Sequence, residues 1–255
     1  MWSALKTSGR KALIPYLTAG YPTPAASADA LKSAAEVADI LEVGIPFSDP
    51  LADGPTIQRA SYEALRQGMS LARTLDLIAR SELACPVVVF SYLNPILRYG
   101  VEPFLHAAEE LGIAGLLLTD LPAGSDPAVE AVVSRSQVDL IRLIAPTTVS
   151  GRLTAALQGA QGFVYLVARL GVTGARESLA ADLAESVERV RRATPLPVAV
   201  GFGISTPEQA RAAGRMADGV VVGSALVEIL GREGIGAARS FLGSLRQALD
   251  TGDAG

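Results

Sequence analysis

The feature that most constrains the fold is a repeat: short apolar runs, many of them β-branched, recur about every thirty residues and alternate with segments of helical periodicity. Continuous apolar runs predict strands buried on both faces, and strict alternation of strand and helix makes such strands parallel. Eight strands are predicted, at residues 12–17, 38–43, 86–90, 115–119, 138–143, 162–167, 197–200 and 219–222.

Eight such units predict a closed (β/α)8 TIM barrel, forming a single domain over residues 1–255. Helix-start signals lie between the runs, at Pro24, Thr56, Ser70, Glu102, Ser125, Ser150, Ser178 and Thr206. An open doubly wound sheet is the alternative. Such a sheet usually carries a GxGxxG turn after its first strand, and residues 18–22 read TAGYP instead.

Charge and termini exclude several classes of function. The net charge is -4 and no run of Lys or Arg occurs, which argues against binding to nucleic acid or to a membrane surface. The first apolar run is short and interrupted by Pro15, so neither a signal peptide nor a membrane span is expected. A cytoplasmic enzyme is therefore expected, with the single Cys85 as a small core residue.

The segment at residues 41–55, LEVGIPFSDPLADGP, places carboxylates where chemistry best explains them. Glu42 interrupts an apolar strand, where a charge is unfavourable by several kcal/mol unless it is exposed or partnered. Asp49 and Asp53 follow in a loop framed by prolines and a glycine. This pattern predicts an active-site loop.

Glycines after the last two strands predict a phosphate site. Residues 201–205 (GFGIS) follow the seventh predicted strand, and residues 223–225 (GSA) open a short helix after the eighth. In TIM barrels these two loops commonly bind phosphate through backbone N–H groups and a helix N-terminus. Residues 171–174 (GVTG) are a candidate third element, and tight turns alone are the alternative for any single glycine.

The small number of His and Cys residues limits the kinds of catalysis that the chain can carry out. The one histidine, His106, is predicted on a solvated helix face, and one His with one Cys cannot form a zinc cluster. A carboxylate-only Mg²⁺ site at Asp49 and Asp53 stays conceivable.

Schiff-base and dinucleotide chemistry are also disfavoured. None of the three lysines follows a predicted strand, and no dinucleotide fingerprint is present. A cofactor-free acid/base enzyme acting on a phosphorylated substrate is therefore predicted. Its candidate groups, besides the carboxylates of residues 41–55, are Tyr92, Asn94, Asp120, Tyr165, Arg169 and Thr173.

Residues 41–58 (LEVGIPFSDPLADGPTIQ), together with the three glycine motifs, resemble the tryptophan synthase α-subunit family, and the resemblance covers nearly the whole chain in order. It implies retro-aldol cleavage of indole-3-glycerol phosphate to indole and glyceraldehyde 3-phosphate. It also implies that this chain binds no cofactor and no metal, and that its partner is a tryptophan synthase β subunit in an α2β2 heterotetramer.

The same resemblance implies roles for individual residues. Glu42 matches the general acid/base, Asp53 the carboxylate that holds the indole N–H, and Tyr165 a tyrosine on the substrate side. The implied phosphate ligands are Gly174, Gly203, Gly223 and Ser224. The implied walls of the indole pocket are Tyr16, Phe90, Leu117 and Phe202, with ordinary barrel core as the alternative for each.

Two loops are expected to move or to bind the partner. A lid over residues 169–181 would include Arg169 and Thr173, although Ala168 and Leu170 depart from the family pattern there. Asp49 and Pro50 lie at the apolar tip of the loop at residues 46–55, which is expected to contact the β subunit. Packing of this tip against a neighbouring loop is the alternative.

Three other functions remain as alternatives. A standalone indole-3-glycerol phosphate lyase would use the same chemistry and release free indole. An isomerase of phosphorylated amino-sugars is disfavoured, because Tyr16 and Arg142 stand where such enzymes carry paired aspartates. A catalytically silent subunit that senses a phosphorylated ligand is disfavoured by Glu42 and Asp53.

Overall fold

The structure is a computed structural model that describes residues 2–167, 176–201 and 203–251. The strands are β1 (Ala12–Thr18), β2 (Leu41–Gly44), β3 (Val87–Ser91), β4 (Gly115–Leu118), β5 (Asp139–Ile144), β6 (Val164–Val167), β7 (Val198–Gly201) and β8 (Gly219–Val222). The helices are α1 (Ser3–Ser8), α2 (Pro24–Ala35), α3 (Pro55–Arg66), α4 (Leu71–Ser81), α5 (Leu93–Tyr99), α6 (Val101–Glu110), α7 (Pro127–Val133), α8 (Ser150–Ala156), α9 (Arg176–Ala193), α10 (Pro207–Met216), α11 (Ser224–Glu233) and α12 (Ile235–Asp250).

The strands form one closed parallel barrel in sequence order, and β8 pairs with β1. The predicted TIM barrel is confirmed, and every predicted strand is present with bounds shifted by at most three residues. The largest shift is at β2, which was predicted from Ala38 and begins at Leu41. Asp39 lies before the strand, where its carboxylate accepts the Leu13 N–H at 2.8 Å and its own N–H donates to the Leu13 carbonyl at 3.0 Å.

The barrel interior is a packed core at the N-terminal ends of the strands. Trp2 closes this end, with its ring 5.5 Å from that of Phe163. A second apolar layer joins the outer faces of the strands to the helices. The interior cluster comprises Trp2, Ala12, Ile14, Ile40, Val88, Leu117, Ile141, Phe163, Tyr165, Ala199 and Val221.

Several predicted helix starts are confirmed by capping hydrogen bonds. Ser70 caps α4 by accepting from the Arg73 N–H, and Thr206 caps α10 by accepting from Gln209. The sequence prediction missed α1, α5 and α12, because it sought one helix after each strand and these three are additions to that pattern. No helix in the described ranges is long and apolar enough to cross a membrane.

A buried arginine fixes the loop after β4. Arg142 is 3% exposed and donates to the carbonyls of Leu121 and Gln158, each at 3.1 Å. It also pairs with Glu130, whose other carboxylate oxygen accepts the Gly124 N–H at 2.8 Å. Arg142 therefore has a structural role outside the barrel interior. This role gives no support to the amino-sugar isomerase interpretation, which requires a catalytic aspartate at this position.

Candidate active site

A cavity of about 470 Å³ opens at the carboxyl ends of the strands. This end of a TIM barrel carries the βα-loops, so residues from distant parts of the chain meet there. The described residues that line it are Tyr16, Glu42, residues 52–57, Phe90, Thr119, Leu143, Tyr165, Val167, residues 203–205, Val221, residues 223–225 and Glu228.

Glu42 lies at the inner wall of this cavity, in the middle of β2 and in register with Tyr16 and Val88. Its side chain is fully buried, and neither carboxylate oxygen has a hydrogen-bond partner among the described residues. Burial without a partner disfavours the charged form and raises the pKa of Glu42 to about 8. Glu42 is therefore a protonated carboxylic acid at neutral pH that faces the cavity.

Asp53 lies on the loop between β2 and α3 and has a different environment. It is only partly buried, and its Oδ2 accepts a hydrogen bond from the Tyr92 hydroxyl at 3.1 Å. Burial raises the pKa of Asp53 to about 6, and the hydrogen bond from Tyr92 opposes that rise. Asp53 is therefore an anion at neutral pH, whereas Glu42 is neutral.

Two buried tyrosines stand beside the carboxyl groups, and two glycines make room for them. A Cβ at Gly44 would lie 2.1 Å from the Tyr16 hydroxyl, and one at Gly201 would lie 2.3 Å from that of Tyr165. Burial is the main cause that raises the pKa of both tyrosines, so both hydroxyls stay neutral. The Tyr16 ring also packs edge-on against Phe90, with centroids 5.2 Å apart.

The part of the cavity wall beside Tyr16 has the character of an anion site. Helix α11 begins there after Gly223, and no side chain caps its free N–H groups. Gly203 has a φ of 84°, a conformation that favours glycine and turns its loop tightly. No Lys or Arg is among the described residues that line the cavity, so backbone donors and the helix dipole are the groups available to an anion.

Most sequence-predicted residues that the structure describes meet at this cavity. Glu42, Asp53, Tyr165, Gly203, Gly223, Ser224, Tyr16 and Phe90 all line it. Leu117 was expected in the indole pocket but is fully buried in the interior cluster and does not line the cavity. Its position on the short strand β4 places it among Val88 and Ile141, deeper in the barrel.

The other predicted positions lie outside the cavity or outside the described part of the chain. Asp49 is exposed and Pro50 partly exposed on the loop that carries Asp53. Arg169, Thr173, Gly174 and Phe202 lie outside the described residues. His106 lies on an exposed helix face as predicted, 3.5 Å from Glu110. Among the described residues, no three His, Cys, Asp or Glu side chains group as a metal would require.

Sequence reasoning missed several residues of the site. Thr119, Leu143 and Val167 line the cavity because they follow or end strands, a position that the strand pattern could have indicated. Glu228 lies one turn into α11, on the face shared with Ser224, and helical spacing alone would have found it. The contact between Tyr92 and Asp53 joins residues 39 apart in sequence, and no sequence signal indicates it.

Comparison with known proteins agrees with this geometry. Residues 2–246 match the family profile described as "Tryptophan synthase alpha chain". The tryptophan synthase alpha chain of Geobacter sulfurreducens is 44% identical, with 97% of each chain covered. That of Gluconobacter oxydans is 45% identical over 90% of this chain and 86% of the relative.

Solved structures of tryptophan synthase chains are also similar to this chain over nearly its whole length. A chain of Mycobacterium tuberculosis tryptophan synthase superimposes with a TM-score of 0.89 at 40% identity, covering 97% of this chain and 96% of that one. The tryptophan synthase alpha subunit of Legionella pneumophila gives a TM-score of 0.88 at 35% identity, with the same coverage.

Burial of Glu42 predicts a pH-dependent gain in stability for Glu42→Gln. Below about pH 4.5 the carboxyl group is protonated in both the folded and the unfolded chain. Between there and about pH 8 only the unfolded chain releases the proton, so the wild type loses about 1.4 kcal/mol of unfolding free energy per pH unit. The neutral glutamine has no such loss.

Urea unfolding of both proteins from pH 4.5 to 8 measures this difference. The stability of Glu42→Gln relative to wild type should rise by several kcal/mol across that range. Glu102→Gln, at an exposed position of α6, is the control and should show no such trend. A constant difference between Glu42→Gln and wild type would mean that Glu42 is ionised in the folded protein.

Proposed function

The chain belongs to the tryptophan synthase alpha chain family, and on that premise we propose how its cavity carries out the family's reaction. The chain is a lyase of tryptophan biosynthesis that cleaves indole-3-glycerol phosphate to indole and glyceraldehyde 3-phosphate. The observation that supports the assignment of roles is Glu42, a buried carboxyl group without a partner among the described residues. It faces a cavity that is also lined by the start of α11, where backbone donors suit a phosphate.

The reaction needs an acid that can later act as a base. Glu42 gives its proton to C3 of the indole ring, and the ring nitrogen takes up the positive charge as an iminium. The Glu42 carboxylate then removes the proton of the glycerol hydroxyl next to C3. The C–C bond breaks, an aldehyde forms, and the electron pair of that bond restores the aromatic ring. The indole itself is the electron sink, so neither a lysine nor a metal is required.

Asp53 provides the negative charge that this sequence of steps needs. Its carboxylate accepts the indole N–H and stabilises the charge that develops on the ring. Tyr16, Phe90 and Tyr165 form an apolar wall of the cavity, which suits the indole ring. In this arrangement the charged and the neutral carboxyl groups have separate tasks because their environments differ.

The acid/base roles predict a bell-shaped pH profile for kcat/KM. Activity should fall below about pH 6 as Asp53 takes up a proton and above about pH 8 as Glu42 loses its proton. Glu42→Gln should lose more than the roughly 10²- to 10⁴-fold typical of one proton-transfer group, because Glu42 serves two transfers. Indole release measured across this pH range tests both expectations.

Two controls accompany that assay. Glu102→Gln, on the surface of α6, should keep the wild-type profile. Substrate affinity of Glu42→Gln should change little, since the shape of the side chain is kept. Retention of more than about a tenth of the activity by Glu42→Gln would exclude Glu42 as the proton carrier.

We assign the substrate phosphate to the backbone donors at Gly203, Gly223 and Ser224, and Gly223→Ala tests this. A Cβ at Gly223 would lie 3.6 Å from Tyr16, an ordinary contact, but the ψ of -85° lies outside the usual α and β regions. The melting temperature of the variant therefore checks that the barrel is intact, and in the folded variant the methyl group blocks close approach of the anion. KM should rise at least about tenfold, and dephosphorylated substrate should be affected far less.

Gly236→Ala is the matched control, because a Cβ there meets nothing within 4 Å. Gly203→Ala is less informative, since its positive φ would strain any side chain. An unchanged KM in a well-folded Gly223→Ala protein would place the phosphate elsewhere.

A tryptophan synthase β subunit is the proposed partner, in an α2β2 assembly. The support is the loop between β2 and α3, where Leu51 is 92% exposed beside the exposed Asp49. Exposed apolar side chains at a loop tip favour an interface. Phe47, by contrast, packs on Tyr92 with ring centroids 5.1 Å apart. This part of the loop therefore contacts a neighbouring loop, which was the alternative to a partner interface.

Addition of a β subunit should raise indole formation at least several-fold, a coupling of about 1 to 3 kcal/mol. Asp49→Ala and Pro50→Ala should remove the gain and keep the basal rate, because both residues lie outside the cavity. An isolated chain that turns over near about 10 s⁻¹ and ignores any β subunit would favour the standalone lyase.

A further inference from the structure

One hydroxyl group joins Asp53 to the barrel. The Tyr92 side chain is 5% exposed and comes from the end of β3, while Asp53 lies on the loop after β2. The backbone N–H of Ala52 donates to the Tyr92 hydroxyl at 2.9 Å, and the hydroxyl lies 3.1 Å from Asp53 Oδ2. A single oxygen thus bonds two consecutive residues of the loop.

The partners fix the direction of the hydroxyl proton. The Ala52 N–H can only donate, so the tyrosine oxygen accepts from it. The one proton of the hydroxyl is then free to point at Asp53, whose ionised carboxylate can only accept. This arrangement favours the charged form of Asp53.

Tyr92 itself is held on both sides. Its carbonyl accepts from the Ser91 hydroxyl at 2.9 Å, and the next N–H, of Leu93, donates to Asp120 at 2.7 Å. Its ring packs on Phe47, near the start of the same loop. Tyr92, which bonds Asp53, is therefore fixed to β3 and to the loop after β4.

The loop offers Asp53 little other support. Its backbone is tied by the Asp53 N–H to the Pro50 carbonyl at 3.1 Å and by the Gln58 amide to the Asp53 carbonyl at 2.9 Å. In the described part of the chain, only Tyr92 bonds the Asp53 side chain. The exposed Asp49 and Leu51 add no contact to the cavity wall.

We infer that Tyr92 is a positioning residue, whose hydroxyl sets the place and the negative charge of Asp53 and thereby the orientation of the indole ring. This inference rests on the role proposed above for Asp53. Tyr92 touches no reacting atom in this account. Its effect passes through the carboxylate that it holds.

The tyrosines and Glu42, which lie near Asp53, do not change charge in the pH range where Asp53 does. Tyr16 and Tyr165, from β1 and β6, keep their protons because burial and the nearby carboxylates raise their pKa values. Glu42, from β2, changes charge near pH 8, away from the acidic limb. Tyr92 stays neutral, since burial and Asp53 raise its pKa. Glu228, from α11, also lines the cavity, so the shift of the acidic limb between wild type and Tyr92→Phe, rather than the limb of one protein alone, reports on Asp53.

Tyr92→Phe removes the hydroxyl and keeps the ring on Phe47. Without the donated hydrogen bond the pKa of Asp53 should rise, so the acidic limb of kcat/KM should move to higher pH by about half a unit to one unit. At pH 7, kcat/KM should fall about 3- to 30-fold. Tyr99→Phe, at the end of α5 and outside the cavity lining, should match wild type.

The carboxyl titration of Asp53 is followed directly by ¹³C NMR of aspartate-labelled protein, with the signal assigned by Asp53→Asn. A higher midpoint in Tyr92→Phe supports the inference. An unchanged midpoint overturns it, even if turnover falls, because a merely structural role would lower turnover alone. Phenylalanine keeps the packing, and a melting temperature close to wild type checks this.

Asp53→Asn separates this inference from the proposed function. If Asp53→Asn keeps wild-type turnover, the role proposed for Asp53 is wrong, and the inference about Tyr92 falls with it. If Asp53→Asn is inactive and the midpoint in Tyr92→Phe is unchanged, the proposed function stands and only the inference about Tyr92 is overturned.

Discussion

The site depends on one buried carboxyl group. Glu42 is enclosed by the barrel, and no described residue offers either of its oxygens a hydrogen bond. A charge in that position would be strongly unfavourable, so the group keeps its proton and its pKa rises to about 8. The barrel thus holds an acid that water would ionise, which is a destabilising feature retained at a functional site.

The other groups that line the cavity have environments different from that of Glu42, and each environment suits a different task. Asp53 has a hydrogen-bond donor and some contact with solvent, and it therefore carries the negative charge. The glycines at positions 44 and 201 leave space for the rings of Tyr16 and Tyr165, which make the wall near Glu42 apolar. The start of α11, which also lines the cavity, offers backbone donors, and we propose that these bind the substrate phosphate while the apolar wall contacts the indole ring.

The sequence predicted the barrel well because its strands are buried on both faces and recur with one period. It also predicted Glu42 as a functional residue, since a charge inside an apolar strand needs a reason. It did not predict that Glu42 lacks partners, because that depends on side chains from other strands. The resemblance to a family, rather than any physical pattern, supplied the specific roles.

The features that could not be predicted from the sequence depend mostly on contacts between residues that are distant along the chain. The family resemblance placed Leu117 in the wall of the indole pocket, but its depth in the barrel depends on how the closed strands are staggered. The bonds from Tyr92 to Ala52 and Asp53 join two separate loops, so only the folded geometry brings them together. Helices α1, α5 and α12 were missed because they are additions to the repeat on which the prediction relied.

The proposed chemistry requires that Glu42 holds a proton at neutral pH in the folded enzyme. Infrared difference spectra between wild type and Glu42→Gln, recorded as a function of pH, observe the protonated carboxyl group directly. We expect a carbonyl band assigned to Glu42 that is present at pH 6.5 and disappears with a midpoint near pH 8. A band absent at pH 6.5, with a midpoint near the ordinary value of about 4.5, would contradict it.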